Sequence, residues 1–308
     1  MPLFSRKEDA MDRSFCLTAC VVIAFPLAVT AQEPETKQVE AAGASFPVVE
    51  VGKGEPVLFV HGAFGDYRAW DLVRDAASKG HRFIAYTQRH FGTSDWPDEP
   101  VYGRDVHESD LTALLDTWSE PVHLVGWSYS GPIVLQAALD RPDLVRKVAI
   151  YEPTLETVLQ DKKEYEQVMA DWNASWGPIV EASQGGDDEK AIRLGLEAVF
   201  GLPEGGFRTL PEGAQTMFLE NAHTVPKMLA APSSIPMTCA DLGGIQAPVL
   251  ILYGSDTLPF FEAAAKEVAR CLPNATLEEM SGEGHGAPLQ NSDAVIEKVL
   301  AFIDARSD

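Results

Sequence analysis

The chain has 308 residues, 45% of them hydrophobic and 23% charged, an ordinary globular composition at a length that suits one large domain or two small ones. Its formal net charge of −22 argues against nucleic acid and anionic membrane surfaces as partners, because a basic patch is the usual footprint of both. No metal-ligand spacing appears ("HESD" at 107–110 is not H-E-x-x-H), and no G-x-G-x-x-G or P-loop follows a strand, so neither a metal nor a nucleotide cofactor is expected.

The chain begins with a segment unlike the rest. Arg13 precedes an uncharged run, "SFCLTACVVIAFPLAVTAQ", that is short for a membrane span and fits the apolar region of a signal peptide. Val29, Thr30 and Ala31 set small residues for a cut after Ala31, and Met11 could serve as the start. Residues 1–31 are therefore expected to be a leader. The mature chain would be periplasmic or secreted, with no stable membrane association after cleavage. The alternative is an uncleaved anchor. "LTAC" resembles a lipoprotein box, but the apolar run follows Cys20 instead of preceding it, so lipidation is not expected. Export would place Cys239 and Cys271 in an oxidising compartment, where a disulfide and two buried thiols are both open readings.

From residue 38 onward the elements come in a regular order. Residues 38–51, with "FPVVEV", suit antiparallel strands. "PVLFV" (56–60), "RFIAYT" (82–87), "VHLVG" (122–126), "KVAIY" (147–151) and "VLILY" (249–253) are nearly continuous apolar runs, as strands buried on both faces are. Helix-length segments at 66–79, 104–118, 130–140 and 258–271 separate them. A last helix fits 289–305, where Val295, Ile296, Val299, Leu300 and Ile303 recur at helical spacing. The alternation predicts βαβ units and a mostly parallel sheet, an α/β fold. It lapses at 153–246, where amphipathic stretches broken by "SQGG" and "LPEGG" read as helices only. That stretch is expected to be a cap inserted into a core of residues 32–152 and 247–308.

Three stretches at strand ends carry the chemistry. In open α/β sheets, ligands sit at the carboxyl ends of the strands. "GWSYSGP" (126–132) places two serines there. A sharp strand-to-helix turn holds a serine at its apex only if the residues two before and two after are small. Gly126 and Ser130 satisfy this for Ser128, whereas Ser130 would need Pro132 in the packed position. Ser128 is the candidate nucleophile, and a serine needs a base oriented by an acid. His285 in "SGEGHGAP" and Asp256 in "LILYGSDT" complete the order Ser, Asp, His, with Glu152 in "AIYEP" as the rival acid. The oxyanion that forms on attack requires preorganised donors. The backbone N–H groups of Tyr129 and of Ala63, in "HGAFG", are the candidates, while His61 reads as structural.

These motifs together resemble the α/β-hydrolase family with a helical cap, over residues 45–305. "HGAFG" resembles the family's oxyanion loop, "GWSYSG" its nucleophile elbow, "LILYGSDT" its acid turn and "GEGHGAP" its histidine loop. "RHFGTS" (89–94) resembles its R-G-x-G-x-S loop, with His90 in place of the first glycine. The resemblance implies a sheet of about eight strands and a site between core and cap. Members of this fold with aspartate where Ser128 stands are haloalkane dehalogenases and epoxide hydrolases. A serine there implies esterases, lactonases, carbon–carbon bond hydrolases and cofactor-free haloperoxidases.

The expectation is a serine hydrolase of a carboxylic ester or lactone, acting on a small molecule without a cofactor. The same-fold alternative is carbon–carbon bond hydrolysis, and the alternative of another class is a non-catalytic ligand-binding protein. Phe64, Trp127, Trp172 and Trp176 are expected in the pocket, with Phe200, Met217, Phe218 and Met228 able to join them.

Overall fold

The computed structural model describes residues 35–306, apart from 119, 161 and 232–234, together with residues 1 and 3. The expected leader thus falls almost wholly outside the described residues. Eight strands form one sheet in the order β1-β2-β4-β3-β5-β6-β7-β8. β1 (Thr36–Ala41) and β2 (Ala44–Gly52) make an antiparallel hairpin, and β2 runs antiparallel to β4 (Arg82–Tyr86). Ala42 and Gly43 both take positive φ, as a two-residue hairpin turn of matching twist requires. β3 (Pro56–Val60), β5 (Val122–Trp127), β6 (Val145–Tyr151), β7 (Val249–Gly254) and β8 (Ala275–Met280) are parallel to their neighbours.

The apolar runs predicted as two-sided strands are buried on both faces. Along β3, Leu58 and Val60 enter one core while Val57 and Phe59 enter the other, because successive side chains of a strand point to opposite faces. The first core is closed by α2 (Arg104–Leu115), α3 (Gly131–Asp140) and α10 (Pro259–Cys271), through Leu111, Ile133 and Val268. The second is closed by α1 (Asp71–Ala77) and α11 (Ser292–Asp304), through Val73 and Val299. Each fully buried Leu, Ile or Phe in these layers contributes about 1.5–3 kcal/mol by leaving water.

Between β6 and β7 the described residues form helices and no strand, as the lapse in alternation predicts. They include α4 (Glu166–Ser175), α5 (Gly177–Gln184), α6 (Asp188–Val199), α7 (Glu212–Glu220), α8 (Val225–Ala230) and the short α9 (Cys239–Leu242). A disulfide joins Cys239, which opens α9, to Cys271 at the end of α10. Among the described residues no helix is long and apolar enough to cross a membrane.

Candidate active site

Ser128 sits immediately after β5 with φ of 56°, a left-handed conformation rare for serine. The turn is crowded. A Cβ at Gly126 would lie 3.0 Å from Val134 Cγ2, and one at Gly131 would lie 2.6 Å from Pro153 Cβ. Ser130 is small, but it also holds the turn: its Oγ donates to Val60 O at 2.8 Å and accepts from the Trp127 N–H at 2.9 Å. Ser130 is fully buried, whereas Ser128 lines an open cavity, so the two serines separate as their steric positions predict.

His285 lies in the loop after β8 and lines the same cavity. Its Nδ1 is 2.6 Å from Oε2 of Glu152, with the imidazole N–H donating to the carboxylate. Both side chains are buried, and Glu152 is fixed further: Oε1 accepts from the Gly254 N–H at 2.8 Å and Oε2 from Thr257 Oγ1 at 3.0 Å. The expectation that Asp256 orients His285 is therefore corrected. Asp256 is exposed, and its Oδ1 accepts from Ser255 Oγ at 3.1 Å. The reason is topological. β6 lies between β5 and β7, so the residue that follows it meets His285 at Nδ1. In the turn after β7 it is Thr257, two residues past its start, that reaches Glu152.

The imidazole is enclosed by rings. Phe261 lies flat on it, with centroids 3.7 Å apart and planes 10° apart, a geometry that attracts a cation. Trp127 Nε1 donates to the His285 carbonyl at 3.1 Å, tying the elbow to the histidine loop.

Ala63 and Tyr129 both border the cavity at Ser128. Tyr129 lies in the first turn after β5, where backbone N–H groups lack intrahelical acceptors. Its ring is pinned beneath the turn: the hydroxyl is 3.0 Å from His107 Nδ1, and His107 Nε2 is 2.9 Å from Arg89 O. Burial pushes the Tyr129 phenol up to about 12 and the His107 imidazole down to about 3. A neutral His107 thus donates from Nε2 and accepts at Nδ1. His61 is structural, as expected. Its Nδ1 is 2.8 Å from Gly62 O, its Nε2 accepts from the Gln88 N–H at 3.0 Å, and burial lowers its pKa to about 4. Gly62 packs against the elbow: a Cβ there would lie 3.2 Å from Trp127 O.

The cavity encloses about 640 Å³ of empty space, part of it open to solvent. Phe64, Trp127, Trp172, Trp176, Phe200, Phe218 and Met228 line it, as proposed from the sequence. Met217 does not; it is buried in the core, against Gly65. Phe261, Arg104, Thr154 and Glu156 line the cavity without having been foreseen. Phe261 lay within a predicted helix whose faces the sequence did not assign. Arg104 opens α2, and nothing in its local pattern marks that helix end as facing the site. His90 is buried away from this cavity, its Nε2 2.9 Å from Pro100 O.

A model of the alpha/beta hydrolase family matches residues 57–298 of the chain. The 2-hydroxymuconate semialdehyde hydrolase of Pseudomonas sp. (strain CF600) is 32% identical over 118 residues, which is 37% of this chain and 42% of that protein. The 2-(acetamidomethylene)succinate hydrolase of Mesorhizobium japonicum is 26% identical over 285 residues, 88% of this chain and 95% of that protein. Among solved structures, an esterase from Exiguobacterium antarcticum superposes with a TM-score of 0.70 at 21% identity, covering 88% of this chain and 100% of the esterase.

Proposed function

The chain belongs to the alpha/beta hydrolase family, and on that premise we propose that it is a serine hydrolase of a carboxylic ester or lactone, with Ser128, His285 and Glu152 as its triad. One observation carries this reading: a histidine held at Nδ1 by a buried carboxylate shares an apolar cavity with a serine on a strained turn. Ser128 Oγ attacks the carbonyl carbon as His285 Nε2 takes its proton. The oxyanion is met by the backbone N–H groups of Ala63 and Tyr129, a stabilisation worth roughly 10²–10³ in rate per donor. The tetrahedral intermediate collapses, and the imidazolium returns the proton to the departing alcohol. Water, deprotonated by His285, then attacks the acyl-enzyme and releases the acid and free Ser128. Glu152 holds the tautomer and offsets the imidazolium charge. The helices between β6 and β7 serve as the cap that closes the cavity and selects the substrate.

A second reading is carbon–carbon bond hydrolysis of a vinylogous diketone, which begins with the same carbonyl. The name of one relative favours it: 2-hydroxymuconate semialdehyde is not an ester. A panel of aryl esters of varied chain length, run beside a dienoic diketone, separates the two. Ester turnover lost in Ser128→Ala supports the first reading, and near-wild-type ester activity in that variant overturns it. Export, with cleavage after Ala31, belongs to the same proposal. The Cys239–Cys271 bridge supports it, since disulfides persist in oxidising compartments. N-terminal sequencing of the protein recovered from its source tests it.

A further inference from the structure

The triad makes no use of the one arginine that faces it. Arg104 lines the cavity that holds Ser128 and His285, and also an adjoining cavity bordered by Tyr102, Asn173 and Leu229. Among the described residues no other Arg or Lys lines either cavity. Most of the remaining lining is apolar, and the chain as a whole carries −22. A cation set into such a wall is costly unless its donors are matched.

They are only partly matched. A guanidinium has five N–H donors in a planar fork. Arg104 Nη2 donates to Thr154 Oγ1 at 2.9 Å, and Nη1 reaches Glu156 Oε2 at 3.4 Å, beyond the usual range for such a bond. Nε is buried and has no acceptor among the described residues. Its Cζ lies 4.7 Å from the ring centroid of Tyr129, whose backbone N–H is the proposed oxyanion donor. Glu156 therefore stands beside the fork with a single long contact, where a bidentate partner would make two short ones.

We propose that Arg104 recognises a free carboxylate on the substrate, making this a hydrolase of anionic, carboxylate-bearing substrates. The inference rests on the proposed hydrolase reading and adds the substrate class. The carboxylate fills the fork that Glu156 leaves open, and the apolar wall takes the chain between carboxylate and scissile carbonyl. Glu156 competes with the incoming anion and so limits its affinity.

The test is a matched pair of substrates: para-nitrophenyl monoesters of glutaric, adipic and pimelic acids, each against a neutral ester in which an isopropyl group replaces the free carboxylate. The readout is the ratio of kcat/KM, anionic over neutral. Wild type should favour the anionic member for at least one chain length. Arg104→Met should lower the ratio by about 30-fold or more, the usual scale for removing one partner of a close charge pair. Glu156→Gln should raise it. A ratio unmoved by Arg104→Met, or equal losses on both esters, would assign Arg104 to holding Tyr129 and overturn the proposal. Binding of the methyl-ketone analogue of adipate, followed by the fluorescence of Trp127, Trp172 and Trp176, tests the same claim without turnover. If esters are not cleaved yet the ketoacid binds wild type and is weakened in Arg104→Met, the ester reading fails and the carboxylate site stands. If it binds both equally, the site fails by itself.

Discussion

Glu152 and His285 meet at 2.6 Å, although one follows β6, the other follows β8, and β7 lies between those strands. The contact spans β7 because that strand ends in a glycine pressed against the histidine loop. A Cβ at Gly254 would lie 2.0 Å from Glu283 O, and the bare backbone N–H there donates to Glu152. The carboxylate that meets His285 thus comes one strand earlier than chain order suggests.

The consequence for activity is sharp. Glu152→Gln keeps the shape but removes the charge that holds the tautomer, and should lower kcat/KM for ester hydrolysis by roughly 10³–10⁴. Asp256→Asn, at an exposed position, should stay within about 2-fold, as surface changes usually do. Steady-state kinetics on the two variants decides between them, and a large loss in Asp256→Asn would return the role to that residue.

Ser128 stores backbone strain for its position. At φ of 56° a non-glycine residue costs about 1–3 kcal/mol, and glycine relieves it. Ser128→Gly should be inactive and more stable than Ser128→Ala by about 1 kcal/mol in urea unfolding. Equal stability of the two variants would mean the turn is not strained.

Two buried histidines shape the acid side of the stability curve. His61 and His107 have pKa values of about 4 and about 3, lowered from 6.5 by burial. Below pH 6.5 the unfolded chain takes up these protons while the folded chain stays neutral. Their contribution is complete above that pH and declines as pH falls through the window, by about 1.4 kcal/mol per pH unit for each histidine. His107→Gln removes one of these titrations. Unfolding free energies at neutral pH and at about pH 5 should therefore drop less in this variant than in wild type. An identical drop would show that His107 is protonated in the folded state.

The Cys239–Cys271 bridge closes a segment with a sequence separation of 32 and ties α9, at the end of the helical insertion, to α10 of the core. Loop closure of that size is worth about 3–4 kcal/mol. The doubly substituted Cys239→Ser/Cys271→Ser protein should lose that much in urea unfolding. Two free thiols titrating in the protein recovered from its source would contradict the bridge.

Much of this was legible in the sequence because the strands are buried on both faces. Runs such as "PVLFV" and "VLILY" can hardly be anything else when helical stretches separate them. The elbow was legible because its steric limits act on neighbours in the chain: Gly126, Ser130 and Gly131 name Ser128. The carboxylate partner of His285 was not, because Glu152 and Asp256 both follow apolar strands and only the lateral order of those strands distinguishes them. Arg104 and Phe261 were missed for a related reason. Each lies on a helix whose facing side is set by long-range packing, and neither belongs to a local motif.

The central claim is that Ser128 is the nucleophile, activated by His285 through Glu152. Fluorophosphonate labelling followed by peptide mapping tests it most directly. A single adduct on Ser128 is expected, absent in Ser128→Ala, greatly slowed in Glu152→Gln and undiminished in Asp256→Asn. An adduct on Ser130 or elsewhere, or labelling that survives in Ser128→Ala, would contradict it.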